Sequence, residues 1–355
     1  MRPPVTLYSE SKLLKPKLYD LLLEVARRAP LFLTPARQPF VNLTSGAIPL
    51  YSEDFRGWLS HQLIAENLPF PSPVTSCRIL RQLDEDAHHL PNLEVHPAHL
   101  RIESTPRGYY IDLKKGTDPI HLTGKHWQQE PNPSPAFFRP ETNNTLTTPT
   151  HSHRPLNTHL SQAFGISEGP AAQLAQWLQL AMRPDQLCPL LIITGDLRDE
   201  ATRAIRQLID PGTCAILPLP VTQNQMGEMA LFNRVLAFSM DKHLSPTKRS
   251  AIRSISQGTG VRLRQANPHR PRISETLRRP VILSAEVAPA LCRNQINIEI
   301  NQANEFATSE VLAALLDELV LTLRRENKVP LQLPSSSTIT LNTFIAAAYG
   351  DAPIP

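Results

Sequence analysis

The sequence predicts an α/β protein: a parallel-sheet domain with helices on both faces, preceded by a small α+β domain. Three observations predict it. Beyond Ala171, short apolar runs such as Pro189-Leu-Leu-Ile-Ile-Thr194 alternate with amphipathic helical stretches, the pattern of a buried parallel sheet. From Leu93 to Leu122 the apolar period is instead two, as in an antiparallel meander. Between the two textures, residues 128–158 are rich in Pro, Asn, Thr and Ser and keep no period. The expected organisation is therefore an α+β domain over 1–127, a linker over 128–160, the α/β domain over 161–330 and a tail over 331–355.

Taken in order, residues 1–16 read as a loose leader. A helix follows from Leu18 to Arg28, with Leu18, Leu21, Leu22 and Val25 on one face. Extended pieces at Leu31–Thr34 and Phe40–Leu43 lead to a helix capped by Ser52, with Phe55, Trp58, Leu59 and Leu63 as its stripe. A third helix is expected over Val74–Leu83. The meander turns at Thr105-Pro-Arg-Gly108 and Lys115-Gly-Thr117. In the second domain, helices are expected over Ala171–Met182, Asp199–Ile209, Gln223–Leu231, Pro246–Gln257 and Ser309–Arg325. Strands are expected over Pro189–Thr194, Ala215–Leu217, Arg234–Phe238, Pro280–Leu283 and Ile296–Ile300.

Composition narrows the function. There are 35 prolines, roughly twice the ordinary share, and only 13 glycines. Few glycines argue against several phosphate-cradling loops, which need the backbone to approach a ligand closely. Net charge is +4, permissive of nucleic acid without being diagnostic. Cys77, Cys188, Cys214 and Cys292 lie far apart with no C-x-x-C spacing, and are expected to be reduced and mostly buried. With no apolar leader and no run long enough to span a bilayer, the expectation is a soluble cytoplasmic protein without membrane contact.

The strand ending at Thr194 runs into Gly195-Asp-Leu-Arg-Asp-Glu200-Ala201-Thr202. A phosphate-binding loop after such a strand reads G-x-x-x-x-G-K-[ST]; its backbone and lysine hold phosphates and its hydroxyl holds Mg²⁺. Gly195 and Thr202 are in place, but Glu200 stands where Gly is required and Ala201 where Lys is required. Asp196, Asp199 and Glu200 put carboxylates along the phosphate path, each repelling a phosphate charge by ~1 kcal/mol at ~4 Å even in water.

The order of motifs around this loop resembles the ATP-binding proteins of mobile elements and phages related to superfamily-3, primase-associated helicases. Tyr110-Ile-Asp-Leu113 matches a Y-x-D-L strand, and Phe138-Arg-Pro140 is one residue shorter than an F-x-R-P linker. Trp177-Leu-Gln-Leu-Ala-Met-Arg-Pro184 matches a tryptophan-bearing helix, and Arg206-Gln-Leu-Ile-Asp-Pro211 a helix end. Asn233-Arg-Val-Leu-Ala-Phe-Ser-Met240 resembles the Walker B strand, and Arg279-Pro-Val-Ile-Leu283 appears intact. The resemblance spans about residues 18–325 and implies a P-loop, AAA-like fold. The departures fall on the chemistry: Ser239 replaces the Mg²⁺-holding Asp, with Asp241 two residues on, and Ser284 replaces the polar sensor. Arg293 corresponds to the arginine that acts across a subunit interface. The implied protein is a degenerate member, a pseudo-ATPase needing no cofactor, with Mg-ATP bound only if the altered loop still takes it.

From Lys248 to Arg279 nine Lys/Arg face one acid, Glu275. Val261-Arg-Leu-Arg264 and Arg270-Pro-Arg-Ile273 alternate with period two around Ala266-Asn-Pro-His269, which reads as a hairpin. In the resembling helicases a hairpin here tracks single-stranded DNA in a ring pore, which makes Arg262, Arg264, Arg270 and Arg272 the candidate DNA contacts. The implied partners are single-stranded DNA and either further copies in a ring or an active helicase paralogue. Two alternatives stay open: weak hydrolysis through Arg198, Thr202 and Asp241, and an adaptor whose basic hairpin meets an acidic protein. His151, His153 and His159, and the group Asp84, Asp86, His88 and His89, read as solvated side chains, and no metal site is expected.

Overall fold

The computed structural model describes residues 16–328, apart from 36, 44–45, 97, 114–116, 131–136, 141–143, 221, 241–243, 259, 264–272 and 306. The expected leader over 1–16 lies outside the described residues except for Pro16, which begins the first helix, and the expected tail over 331–355 lies wholly outside them. The chain divides into two compact units, 1–97 and 98–355.

In the first unit, helix α1 (Pro16–Ala26) precedes an antiparallel meander of β1 (Leu31–Leu33), β2 (Pro39–Leu43) and β3 (Gly46–Pro49). Helix α2 (Glu53–Ala65) starts where expected, since the Ser52 hydroxyl accepts the Phe55 N–H at 3.2 Å. Helix α3 (Pro73–His89) runs past its expected end at Leu83. Its last turns are polar in sequence, yet Asp84 is buried, accepts the Tyr51 O–H at 3.0 Å and lies 3.2 Å from His88 Nδ1. The expectation of a solvated group therefore fails at Asp84. The core gathers Leu22, Val25, Phe55, Leu63, Ile79 and Leu83.

The second unit begins with β4 (His99–Leu100) and a second meander: β5 (Ile102–Thr105), β6 (Gly108–Ile111), β7 (Ile120–Leu122) and β8 (Trp127–Gln129). Gly108 has φ +144°, and a side chain there would meet the Leu122 carbonyl. After β9 (Phe137–Phe138) come α4 (Leu156–Phe164), α5 (Glu168–Ala181), β10 (Leu190–Thr194), α6 (Arg198–Ile209) and α7 (Gln223–Phe232). Then follow β11 (Leu236–Met240), α8 (Pro246–Gln257), β12 (Gly260–Leu263), β13 (Ile273–Thr276), β14 (Val281–Ala285), β15 (Gln295–Glu299) and α9 (Thr308–Lys328).

The central sheet has the order β11–β14–β10–β15, every pair parallel. Beyond β11, the expected strand Ala215–Leu217 is reduced to an isolated parallel bridge from Leu217 to Phe238. Alternate residues feed two cores. Leu191 and Ile193 pack with α4, α5, α6 and α9, whereas Leu190 and Ile192 pack with α7 and α8. Both faces of the sheet are thus covered by helices, the P-loop-like α/β arrangement.

The boundary between the units falls at Pro97, ahead of the meander rather than after it at 127. The reason is burial: Ile102, Tyr109, Ile111, Ile120 and Leu122 share one core with α4, α5 and α9. The segment 128–160 is likewise bound to the second unit. Leu146 is fully buried and its N–H meets the Leu113 carbonyl at 2.8 Å, while the Asn144 N–H meets the Pro211 carbonyl at 2.9 Å. Within it, His159 sits buried on α4 with Nε2 2.7 Å from the Ser152 hydroxyl. Burial pushes its pKa below the ordinary histidine value, which Glu310 opposes and Arg154 reinforces. His159 is a packed side chain, not a solvated one. Cys77 and Cys214 are exposed, against the expectation of buried thiols.

Candidate functional site at the strand ends

The loop after β10 is short. Gly195, Asp196 and Leu197 make the whole turn, and α6 already begins at Arg198. Gly195 has φ +101°, and a Cβ there would lie 2.3 Å from the Ile300 carbonyl oxygen. Its backbone freedom therefore serves close packing against the chain after β15. The turn is pinned on that side: the Asp196 N–H donates to Asn301 Oδ1 at 3.1 Å, and the Leu197 N–H to the Ile300 carbonyl at 3.3 Å.

The remaining loop positions lie inside α6. Glu200 points outward and pairs with Arg203 at 3.3 Å. Ala201 is fully buried in the core beneath the sheet. Thr202 is fully buried too, and its hydroxyl has no hydrogen-bond partner among the described residues. A triphosphate cradle needs the helix to start at the Gly-Lys step so that its free N–H groups face the ligand. Here that step, Glu200–Ala201, lies within the first helical turn, and the Ala201 and Thr202 side chains face protein.

Asp199 turns toward the sheet instead. Its Oδ1 accepts the Ser239 hydroxyl at 3.0 Å and also the Ser284 hydroxyl. Ser239 and Ser284 are register partners near the C-terminal ends of β11 and β14, and Ser284 in turn pairs with Ile193 of β10. The carboxylate occupies the second position of α6, at the positive end of the helix dipole. Hydrogen bonds to a charged acceptor each contribute about 1.5–3 kcal/mol. Two departures from the resembling family's pattern, Ser239 and Ser284, thus meet one carboxylate of the acidic loop. The sequence marked Ser239, Ser284 and the acidic loop separately; that they form one cluster was not legible. Asp241 lies outside the described residues.

Arg293 is exposed in the turn before β15, at the N-terminal end of the sheet. It borders an open groove of about 1080 Å³ with Cys188, Arg253, Ser256 and Leu291. Five residues of strand, roughly 17 Å, separate that end from the Asp199 cluster. Arg262 lies on β12 opposite Ser274 of β13, so the basic segment does begin and end as an antiparallel hairpin. Arg264, Arg270 and Arg272 lie outside the described residues.

The best-kept motifs are structural ties. Asp112 of the Tyr110–Leu113 strand is held by Arg139 of Phe138-Arg-Pro140 through two bonds of 2.7 and 2.8 Å. Arg206 is buried and donates to the Cys214 and Ala215 carbonyls and to Asn233 Oδ1. Asp210 bonds Arg101 at 3.4 Å and the Val235 N–H at 2.8 Å. Arg279 donates to the Ala230 and Asn233 carbonyls. These side chains join the meander, α6, α7 and the start of β11; none lines the strand-end cluster.

No protein-family model matches the sequence. No curated protein matches it either. Among solved structures, the chain is similar to the C-terminal region of NrS-1 in its apo A form, at 10% identity and a TM-score of 0.43, over 86% of this chain and 67% of that one. A second structure of that region, residues 305–718, matches at 8% identity and a TM-score of 0.39, over 85% and 66%. A JCV helicase bound to a substituted N-phenyl acetamide matches at 10% identity and a TM-score of 0.28, over 56% and 67%. The chain spans about two thirds of the length of each. Among the described residues, no three His, Cys, Asp or Glu side chains converge as a metal site. No described helix is long and apolar enough to cross a membrane.

Proposed function

We propose that this chain is a helicase-like scaffold that binds single-stranded DNA and neither binds nor hydrolyses ATP by the P-loop route, serving replication or maintenance of a mobile element. The observation that carries the reading is the three-residue turn Gly195–Leu197, with the Asp199 carboxylate held by Ser239 and Ser284 behind it. The buried Ala201 leaves no lysine for a β- or γ-phosphate, and the buried Thr202 hydroxyl offers nothing to a solvated Mg²⁺. Weak hydrolysis through Thr202 is disfavoured for the same reason. Arg293 is exposed at the other end of the sheet from the strand-end cluster, which supports a role toward another subunit rather than toward its own cluster. That exposure supports the reading in which the chain joins a ring of its own copies or sits beside an active paralogue.

The test of the nucleotide half is calorimetric titration of Mg-ATP into the whole protein, with single-stranded DNA present and absent. No binding at millimolar ATP is expected in either case. Micromolar binding or turnover would sink this half of the reading.

The DNA half rests on the basic hairpin, and its test is salt dependence. Each phosphate contact to a single strand contributes about 0.7 to the slope of log affinity against log salt. Replacing Arg262 and Arg264 together with alanine is expected to flatten that slope by about 1.4 and weaken binding for every base sequence alike. An unchanged slope would move the DNA elsewhere and favour an acidic protein partner for the hairpin.

A further inference from the structure

We infer that copies of this chain join head to tail, the exposed tip Glu286–Val287 of one copy seating in the groove at the start of β10 and β15 of the next. This rests on the assembly with further subunits proposed above, and it names the two surfaces that meet.

The tip comes directly after β14, where the chain leaves the C-terminal end of the sheet. Val287 is 77% exposed, more than any other large apolar side chain among the described residues. Glu286 beside it is exposed and makes no ion pair among the described residues. A single exposed valine needs no partner by itself. The groove at the other end of the sheet gives it one.

That groove, of about 1080 Å³, has room for a short segment of chain rather than one side chain. Leu180 and Leu291 line it as buried apolar surface, and Leu187, which also lines it, is 41% exposed. Its charged lining residues are Arg253 and Arg293, with no carboxylate among them. Nε and Nη2 of Arg253 both donate to the Leu291 carbonyl, at 3.1 and 2.7 Å, which fixes its guanidinium against the wall. Neither arginine makes an ion pair among the described residues. Two cations without a counter-charge, set over leucines, fit a carboxylate followed by an apolar side chain. Glu286-Val287 supplies both in that order, whereas a phosphodiester would leave the leucines wet.

Topology puts the two surfaces at opposite ends of one copy. Strands β14 and β15 both run parallel to β10, so the loop 286–294 returns the length of the sheet, roughly 17 Å. One loop therefore begins with the tip and ends with Leu291, Cys292 and Arg293 of the groove. Tip and groove cannot meet within a copy. Between copies they make a heterologous contact, which passes from each copy to the next and closes into a ring where the rotation allows.

The experiment is analytical ultracentrifugation of the full chain without DNA, for the parent, Val287→Asp, Arg293→Glu and an equimolar mixture of the two variants. The parent is expected to associate beyond a dimer as concentration rises, and each variant alone to lose at least about tenfold in affinity. Each variant keeps the half that the other lacks. The mixture is therefore expected to form a dimer and stop there, a recovery that a face-to-face interface does not give. Reversing the pair, with Glu286→Arg and Arg293→Glu in one chain, is expected to restore association. Both positions are exposed, so melting temperatures close to the parent's are expected; should either variant fail to fold, Glu286→Arg alone replaces the tip variant and Arg253→Gln the groove variant. A parent that stays monomeric at every concentration overturns the inference, as does a mixture that does not dimerise. Association untouched by either substitution overturns this interface while leaving assembly itself standing. DNA and ATP binding are read separately on the parent, so a failure of the proposed function is told apart from a failure of the contact.

Discussion

Replacing Asp210 with alanine is expected to cost the 98–355 unit about 3–5 kcal/mol, the largest single loss among its polar residues. Asp210 is buried and bonds the Arg101 guanidinium at 3.4 Å and the Val235 N–H at 2.8 Å. Arg206 and Arg234, also buried, feel its charge as well, although burial still pulls both of their pKa values below the ordinary arginine value. One carboxylate therefore serves three buried guanidinium groups. Its removal leaves Arg101 without its ion pair and the first N–H before β11 without an acceptor, and water reaches neither. Against a typical domain stability of about 5–15 kcal/mol, such a loss takes a large share of the fold. Asp210→Asn retains an acceptor for Val235 but not the charge, so its cost is expected to lie below that of alanine. Denaturant unfolding followed at Trp127 and Trp177 measures both. A loss under ~1 kcal/mol for alanine would show that water or rearrangement satisfies the arginines.

Trp177→Ala is expected to cost a similar amount, about 3–5 kcal/mol, through a different mechanism. Trp177 is fully buried between α5 and the sheet, and its indole N–H donates to the Pro189 carbonyl at 2.8 Å. Truncation opens a cavity in the larger core and frees the residue immediately before β10. Because β10 carries Gly195 and the Asp199 turn at its other end, the change is expected to loosen the strand-end cluster along with the fold. Trp177→Phe separates the contributions: it keeps most of the ring but leaves the Pro189 carbonyl without that donor, at about 1–3 kcal/mol. Circular dichroism melts decide it, since both variants lose one of the three tryptophan fluorophores. Equal losses for Phe and Ala would assign the whole effect to the hydrogen bond rather than to packing.

Much of the architecture was legible because it is written in local pattern. The apolar runs of β10, β11 and β14 bury on both faces, so their composition announces them regardless of partner. Ser52 announces the start of α2 because capping needs only the next three residues. The segment 128–160 reads as a linker for the opposite reason: Leu146 and Asn144 are anchored by backbone bonds to Leu113 and Pro211, which leave no period in the chain. The boundary moved to Pro97 because an alternating strand reveals which face is apolar but not which core receives it.

The candidate site divides along the same line. Sequence alone determined that Gly195 and Thr202 survive while Glu200 and Ala201 replace the phosphate-binding pair, and that Ser239 and Ser284 stand where metal-binding and sensor groups are expected, because each is a statement about one position. Only the tertiary structure decided that the turn closes in three residues and that Ala201 and Thr202 face the core. It alone brought Asp199 to Ser239 and Ser284, residues separated from it by 40 and 85 positions in the chain. The physical reason is that a carboxylate's partner is chosen by the convergence of strand ends in a parallel sheet, which no local sequence pattern records.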